Sequence, residues 1–255
     1  MNTQQAARLS LACLDLTSLD DADTEADVIK LCARAHGPHG TTAAVCVWPR
    51  FAALARREAP AGIAVAAVAN FPDGSADVER AVRDTRTIVD AGAQEVDVVL
   101  PFGALMQGDE RAVADLLVAV RKAGDGLVLK VILETGVLVS DTLIARAAQL
   151  SLDAGADFLK TSSGKTPVSA TTQAATVMLN AIAADPRHVH VGFKASGGIR
   201  TVADATVYFE LVEQILGASA LSPRRFRIGA SSLLNDIEAV LGGQRVPPRA
   251  APGTY

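Results

Sequence analysis

Six ionisable residues stand inside runs of sequence that are otherwise apolar: Asp15 in LSLACLDL, Asp97 in EVDVVL, Lys130 and Glu134 in LVLKVILET, Lys160 in DFLKTS and Lys194 in HVGFKAS. A charge in such a run costs free energy unless it is paired or put to use. The steps from Asp97 to Lys130, Lys160 and Lys194 are 33, 30 and 34 residues, each about one strand-plus-helix unit. These side chains therefore belong on successive strands and converge at one mouth. A lysine held in a low-dielectric cavity beside a second cation has its ammonium form disfavoured, which frees the amine to attack a carbonyl. Lys160 beside Lys194 fits that description, and Asp97 is a carboxylate placed to move protons. A Schiff base so formed is an electron sink for cleaving or making the adjacent carbon–carbon bond. The alternative is a set of structural ion pairs; one buried pair would favour it, whereas four or more converging groups weigh against it.

A second signal concerns anions. Ser196-Gly197-Gly198-Ile199-Arg200 and Gly229-Ala230-Ser231-Ser232 each follow an apolar run and precede a helical segment. Glycine lets backbone N–H groups approach an anion, and a helix N-terminus attracts it. A glycine at such a turn is often only steric; two such loops together favour phosphate binding. Lys165, in Ser162-Ser163-Gly164-Lys165, could add a charge to the same anion.

The elements that must position these groups form a repeating pattern. Eight apolar runs of strand length cover 9–16, 41–48, 63–71, 95–100, 127–135, 157–162, 190–196 and 226–231. Between them lie segments of helical periodicity that tend to begin at Ser, Thr or Asp and end at Gly, for example from Ser75, Asp109, Ser140 and Thr201. Alternating strands and helices imply right-handed βαβ crossovers and a parallel sheet covered on both faces. Eight units predict a closed (β/α)8 TIM barrel, a single domain over 1–243, followed by a Pro-rich tail over 244–255 without a fold of its own. In such barrels the loops after strands seven and eight are the usual phosphate site. The runner-up, a doubly wound open sheet, lacks support: no GxGxxG follows the first strand and no phosphate loop of the GxxxxGK[ST] type is present. An internal echo, Asp90-AGAQEVDVV and Asp153-AGADFLKTS at an offset of 63 residues, puts Asp97 and Lys160 at the same place in their strands and facing the same cavity.

Composition excludes several classes. The 255 residues are 49% hydrophobic and 20% charged, with a mean hydropathy of +0.26, as expected of a globular enzyme with a large core. A net charge of −4 and a pI of about 5.6 provide no long-range positive field, so nucleic acid is not an expected partner. The most apolar stretch, Ala59 to Pro72, is too short for a bilayer, and MNTQQAARLSL lacks the basic residues that open a secretory signal, so a cytoplasmic protein without a membrane partner is expected. Cys13, Cys32 and Cys46 are odd in number and lack CxxC spacing, against both a disulfide framework and a zinc cage. Cys46 could line the bottom of the cavity, although a packed core thiol is the favoured reading. His36 and His39 read as surface residues, His188 and His190 as residues at the start of the seventh strand and far from the mouth, and Arg56 and Arg57 as a solvated helix face. Tyr255 ends the tail, where its phenol and carboxylate could fold over the mouth.

Ordered along nearly the whole chain are LDLTSL (14–19), VCVWP (45–49), ANFPDG (69–74), EVDVVLPFGALMQGD (95–109), LKVILETG (129–136), FLKTSSGK (158–165), GFKASGGIR (192–200) and GASSLL (229–234). In these the sequence resembles the deoxyribose-phosphate aldolase family, Schiff-base lyases. SSGK differs from the STGK of related members only by Ser for Thr. The resemblance implies reversible cleavage of 2-deoxy-D-ribose 5-phosphate to D-glyceraldehyde 3-phosphate and acetaldehyde, with no metal and no cofactor. It implies that Lys160 forms the Schiff base, that Lys194 perturbs it and joins the proton relay, and that Asp97 is the acid/base carboxylate. By the same resemblance Asp15, Lys130 and Glu134 support the hydrogen-bond network or substrate hydroxyls. Lys165, Gly197, Gly198, Ser231 and Ser232 surround the phosphate, and Tyr255 matches the tyrosine that ends some members.

Three other readings compete. A phosphosugar isomerase or epimerase on the same barrel would need a carboxylate base but no nucleophilic lysine. A silent phosphate-binding barrel would bind ligand and release no acetaldehyde. Another Schiff-base aldolase would differ in the pocket that reads the sugar hydroxyl. A homo-oligomer, with a dimer favoured, is the expected assembly.

Overall fold

The computed structural model describes residues 1–243, so the expected tail and Tyr255 lie outside the described residues. Eight parallel strands close into a barrel: β1 (Leu14–Thr17), β2 (Ala44–Val47), β3 (Ala64–Ala69), β4 (Glu95–Val99), β5 (Val128–Ile132), β6 (Phe158–Lys160), β7 (Gly192–Ser196) and β8 (Phe226–Ala230). β8 pairs with β1, which closes the ring. The helices are α1 (Thr3–Ala12), α2 (Glu25–Arg34), α3 (Ala52–Glu58), α4 (Val78–Asp90), α5 (Phe102–Met106), α6 (Glu110–Ala123), α7 (Thr135–Leu138), α8 (Asp141–Asp153), α9 (Thr172–Ala183), α10 (Val202–Leu216) and α11 (Leu233–Leu241). The expected (β/α)8 barrel is the observed fold.

Helix periodicity explains the outer ring. In α6, Val113, Leu116, Leu117 and Val120 are buried at helical spacing, and Asp109 caps the first turn by accepting from the Ala112 N–H. Each fully buried leucine of this kind contributes about 1.5–3 kcal/mol. Three boundaries differ from expectation. The run 9–16 is helix up to Ala12, because Asn2 and Gln5 form a reciprocal capping box that starts α1 in an Ala- and Leu-rich segment; only Leu14–Thr17 is strand. β7 begins at Gly192, after a 3-10 turn over Pro186–His188, so His188 and His190 precede the strand. The cap of α4 is Asp77, two residues beyond Ser75.

Strand register decides which side chains meet. Asp97 lies opposite Lys130, and Lys130 opposite Phe158. Lys160 is therefore offset by two residues in ladder register from Asp97, while each is the third residue of its strand and both face the interior, as the internal echo predicts. That offset is the tilt of the barrel, which lifts each strand relative to its neighbour. Lys160 is in turn the register partner of Lys194, and Lys194 of Arg227, which the tilt places one layer lower. Gly192 makes room at the bottom of the barrel, since a Cβ there would lie 2.3 Å from the Phe158 ring.

The interior is divided. On one side Cys46, Ala66, Val68, Val99 and Ile132, from β2 to β5, form an apolar wall with Leu19 and Phe71. Opposite it, above the Phe158 ring, the interior is charged, in place of the branched apolar layers usual in such barrels.

Candidate active site

The charges of the interior form one continuous cluster. Asp97 is its hub: its Oδ2 accepts from Lys160 Nζ at 2.7 Å and from Lys194 Nζ at 2.8 Å, and its Oδ1 accepts from Lys130 Nζ at 2.7 Å. Lys194 also donates to Asp15 Oδ2 at 2.5 Å. Below them Arg227 bridges Asp15 Oδ1 at 2.6 Å and Glu95 Oε1 at 2.8 Å, and Glu95 Oε2 lies 2.5 Å from Lys130 Nζ. Asp15, Asp97, Lys130 and Lys194 are fully buried, and Lys160 is 3% exposed.

The cluster holds four cations, Lys130, Lys160, Lys194 and Arg227, against three carboxylates, Asp15, Glu95 and Asp97. With every group ionised it carries one excess positive charge out of water, which is costly. The least costly relief is loss of a proton from the cation with the fewest carboxylate contacts, and Lys160 has one, on an oxygen it shares with Lys194. Burial and then the Lys194 ammonium hold Lys160 below the ordinary lysine range, against the pull of Asp97. For Lys194 burial acts downward too, but Asp15 and Asp97 outweigh it and hold the group above its ordinary range. Burial alone would raise Asp15 and Asp97; the surrounding cations reverse this and hold both carboxyls low.

Above the cluster opens a cavity of about 560 Å³. Of the cluster, Lys160 lines it; the other lining residues come from the ends of β1, β7 and β8 and from the loops after β1, β6, β7 and β8, among them Lys165, Gly197, Gly198, Ser231 and Ser232. Gly197 and Gly198 have φ of 84° and 81°, where a side chain is strained, and a Cβ on Gly197 would collide with Ser169. The two helices that start here are unlike. The first turn of α10 is occupied by its own chain: Thr201 and Asp204 form a capping box, and Asp236 accepts from the Val202 N–H. α11 starts at Ser232 with no side-chain cap. The helix end open to an anion is therefore that of α11, next to Ser231 and Ser232.

The remaining expected residues sit elsewhere. Asp15 and Lys130 are in the cluster beneath the cavity rather than on its lining. Glu134, buried and left-handed at φ 54°, holds the loop after β6: its carboxylate accepts from the Ser163 N–H and the Thr166 hydroxyl, both at 3.2 Å. Cys46 packs in the apolar wall, where burial pushes its thiol above the ordinary range. Glu95 and Arg227 were not anticipated from the sequence, although alternation carried the signal: each lies two residues before an inward position, Asp97 and Gly229. Also missed were Thr17, Ser18, Asp20, Asp23 and Arg200 on the cavity wall. Among the described residues no cluster of three or more His, Cys, Asp or Glu side chains could hold a metal ion.

Fold and site together define a barrel enzyme of the aldolase class, with an amine at the base of an anion-suited cavity. Residues 9–239 match the model of the DeoC/LacD family aldolases, and the chain belongs to that family. It is 47% identical over 253 residues to the deoxyribose-phosphate aldolase of Agrobacterium fabrum, covering 98% of this chain and 96% of that one. Among solved structures, a Toxoplasma gondii protein provisionally described as a deoxyribose-phosphate aldolase is 25% identical, with a TM-score of 0.86 over 95% of this chain and 96% of that chain. The tetrameric deoxyribose phosphate aldolase of Aeropyrum pernix is 27% identical, with a TM-score of 0.71 over 93% and 96% of the two chains.

Proposed function

We propose that this chain is a deoxyribose-phosphate aldolase that cleaves 2-deoxy-D-ribose 5-phosphate reversibly to D-glyceraldehyde 3-phosphate and acetaldehyde. The observation that carries the reading is the pair of amines on one carboxylate oxygen, Lys160 and Lys194 on Asp97 Oδ2, of which Lys160 reaches the cavity. The neutral Lys160 amine adds to C1 of the open-chain sugar, and loss of water gives an iminium. As the C3 hydroxyl loses its proton, the C2–C3 bond breaks; glyceraldehyde 3-phosphate leaves and the electron pair rests in an enamine. Protonation at C2 restores an iminium, and water releases acetaldehyde and the amine. The iminium is itself the electron sink, so the chemistry calls for no metal or cofactor.

Lys194 and Asp97 keep a proton source and acceptor next to the reacting nitrogen, and Asp15 and Lys130 fix the two of them in place. The phosphate is taken by the Gly197 and Gly198 amides, the open end of α11 with Ser231 and Ser232, and the Lys165 ammonium. Glu134 keeps Lys165 in reach by pinning the loop that carries it. We assign the enzyme to the cytoplasm, where phosphorylated sugars are handled, and as a homo-oligomer, with a dimer first to be sought by light scattering. No helix of the described residues is long and apolar enough to cross a membrane.

Incubation with acetaldehyde and glyceraldehyde 3-phosphate, followed by product identification and mapping of the borohydride-reduced adduct, tests the reading. The expected adduct lies on Lys160 and is lost in Lys160→Leu. An isomerase would give no adduct, and an adduct elsewhere would refute the residue assignment.

A further inference from the structure

The bottom of the ion cluster, which touches neither the cavity nor the reacting amine, has a function of its own. We propose that Glu95 and Arg227 are a pair of positioning residues that fix how much of the Asp97 carboxylate is left for Lys160, and so set the acidity at which the Lys160 amine becomes nucleophilic. This rests on the Schiff-base reading of Lys160.

The geometry makes the two residues act in opposite directions. Arg227 occupies Asp15 Oδ1 at 2.6 Å and both oxygens of Glu95, at 2.8 and 3.2 Å. Asp15 Oδ2 is left to Lys194, with Lys130 at 3.6 Å, and Glu95 Oε2 is shared between Arg227 and Lys130. Lys130 and Lys194 both draw on Asp97 as well. Asp97 is thus divided among three ammonium groups at 2.7 to 2.8 Å, and for Lys160, unlike the other two, it is the one carboxylate in reach. Remove Arg227, and Asp15 and Glu95 satisfy Lys194 and Lys130 by themselves; Asp97 returns to Lys160 and holds its proton. Neutralise Glu95, and Lys130 loses its partner at 2.5 Å. It then draws harder on Asp97, and Lys160 is released at lower pH.

Charge parity says the same. The wild-type cluster has one cation in excess; without Arg227 it has none, and without the Glu95 charge it has two. The double loss restores an excess of one. The groups that face Lys160 from the other strands are Asp15 on β1, Cys46 on β2, Asp97 on β4, Lys130 on β5, Lys194 on β7 and, one layer below, Glu95 on β4 and Arg227 on β8. β3 offers only Ala66 and Val68. At the rim Asp20, Asp23, Lys165 and Arg200 line the same cavity and are open to water, which screens them. Arg227 also lies over the Phe158 ring at 5.7 Å and donates to the Pro223 carbonyl, so its guanidinium is held from three sides.

The test is the rate of cyanoborohydride trapping of the full chain by acetaldehyde as a function of pH, read by intact mass. Glu95→Gln is expected to move the acid limb to lower pH and Arg227→Met to higher pH. Each shift is worth about tenfold in rate on that limb, one pH unit. Glu95→Gln/Arg227→Met returns the limb towards wild type, and Arg227→Lys rescues the profile of Arg227→Met. If Arg227→Met does not fold, as judged by circular dichroism, the sign of the Glu95→Gln shift and the Arg227→Lys profile decide. Shifts of the same sign in both variants, or unmoved limbs with altered rates, overturn the proposal. Failure of the wild type to form an adduct on Lys160 would instead overturn the Schiff-base reading beneath it.

Discussion

Replacing Lys194 by methionine keeps most of the side-chain volume and removes the charge, and the structure fixes the size of the effect. Lys160 and Lys194 both lie within 2.8 Å of Asp97 Oδ2. Their nitrogens are therefore no further than about 5.5 Å apart, and at an effective dielectric constant of about 20 their repulsion is at least about 3 kcal/mol. Removing it favours the protonated form of Lys160 by that amount, and the neutral fraction near pH 7 falls about a hundredfold. The freed Asp97 Oδ2 then serves Lys160 alone, which acts in the same direction. In steady-state cleavage of 2-deoxyribose 5-phosphate, kcat/KM of Lys194→Met should fall by about two orders of magnitude at neutral pH. It should recover progressively as the pH is raised, while the adduct still maps to Lys160. A loss of equal size at every pH would refute the reasoning, because it would mean that Lys194 acts by contact with the substrate and not by its charge on Lys160.

Other consequences are equally specific. Gly192→Ala puts a methyl group 2.3 Å from the Phe158 ring; overpacking of this kind costs about 1–3 kcal/mol, measurable as a lower urea midpoint at unchanged m-value. Glu134→Ala frees the Ser163 N–H and the Thr166 hydroxyl, so KM for the phosphorylated sugar should rise severalfold, while KM for the unphosphorylated sugar, which has no use for Lys165, should not change. Asp15 and Asp97 have folded-state acidities below the ordinary 3.8. Their contribution to stability is therefore full above pH 3.8 and is lost as the pH falls through the folded values. Thermal unfolding should show Tm dropping below that pH, with a smaller drop in Asp15→Asn.

How much of this was legible in the sequence follows from what each residue does locally. Strand-length apolar runs and cap residues gave the barrel, because burial on both faces and helix starts are local properties. The first run misled at Leu9–Ala12: its apolar residues suit a helix as well as a strand, and the deciding signal, Asn2 with Gln5, lay upstream of it. Lys160, Lys194, Asp97, Asp15 and Lys130 stood out because a charge in the middle of an apolar run has no structural excuse. Glu95 and Arg227 did not, because they sit at or near the starts of their strands, where a charge usually reaches water. Only the barrel closure, which brings Arg227 against Asp15 and Glu95 across 212 and 132 residues of chain, reveals that they are inside. The grip of Glu134 on the loop after β6 was hidden for the same reason, since its partners Ser163 and Thr166 come from a different βα unit.

The division of the interior explains why the cluster can control one amine. Asp15, Asp97, Lys130 and Lys194 are wholly out of water, and the wall made by Cys46, Ala66, Val68, Val99 and Ile132 keeps that side of the barrel dry. In such surroundings a single unbalanced charge is felt more strongly than the same charge at the rim, which water and salt screen. Lys160 alone of the four cluster cations lines the cavity, and it is the one that burial, with the Lys194 ammonium beside it, makes reluctant to hold a proton. Were Lys194 at the surface and Lys160 beneath it, both effects would fail: the exposed amine would be protonated by water and the buried one out of reach. The order of the two lysines across β6 and β7, fixed by a register that puts them side by side while Gly229 leaves space for the Lys194 side chain, is therefore as much a part of the site as their chemistry.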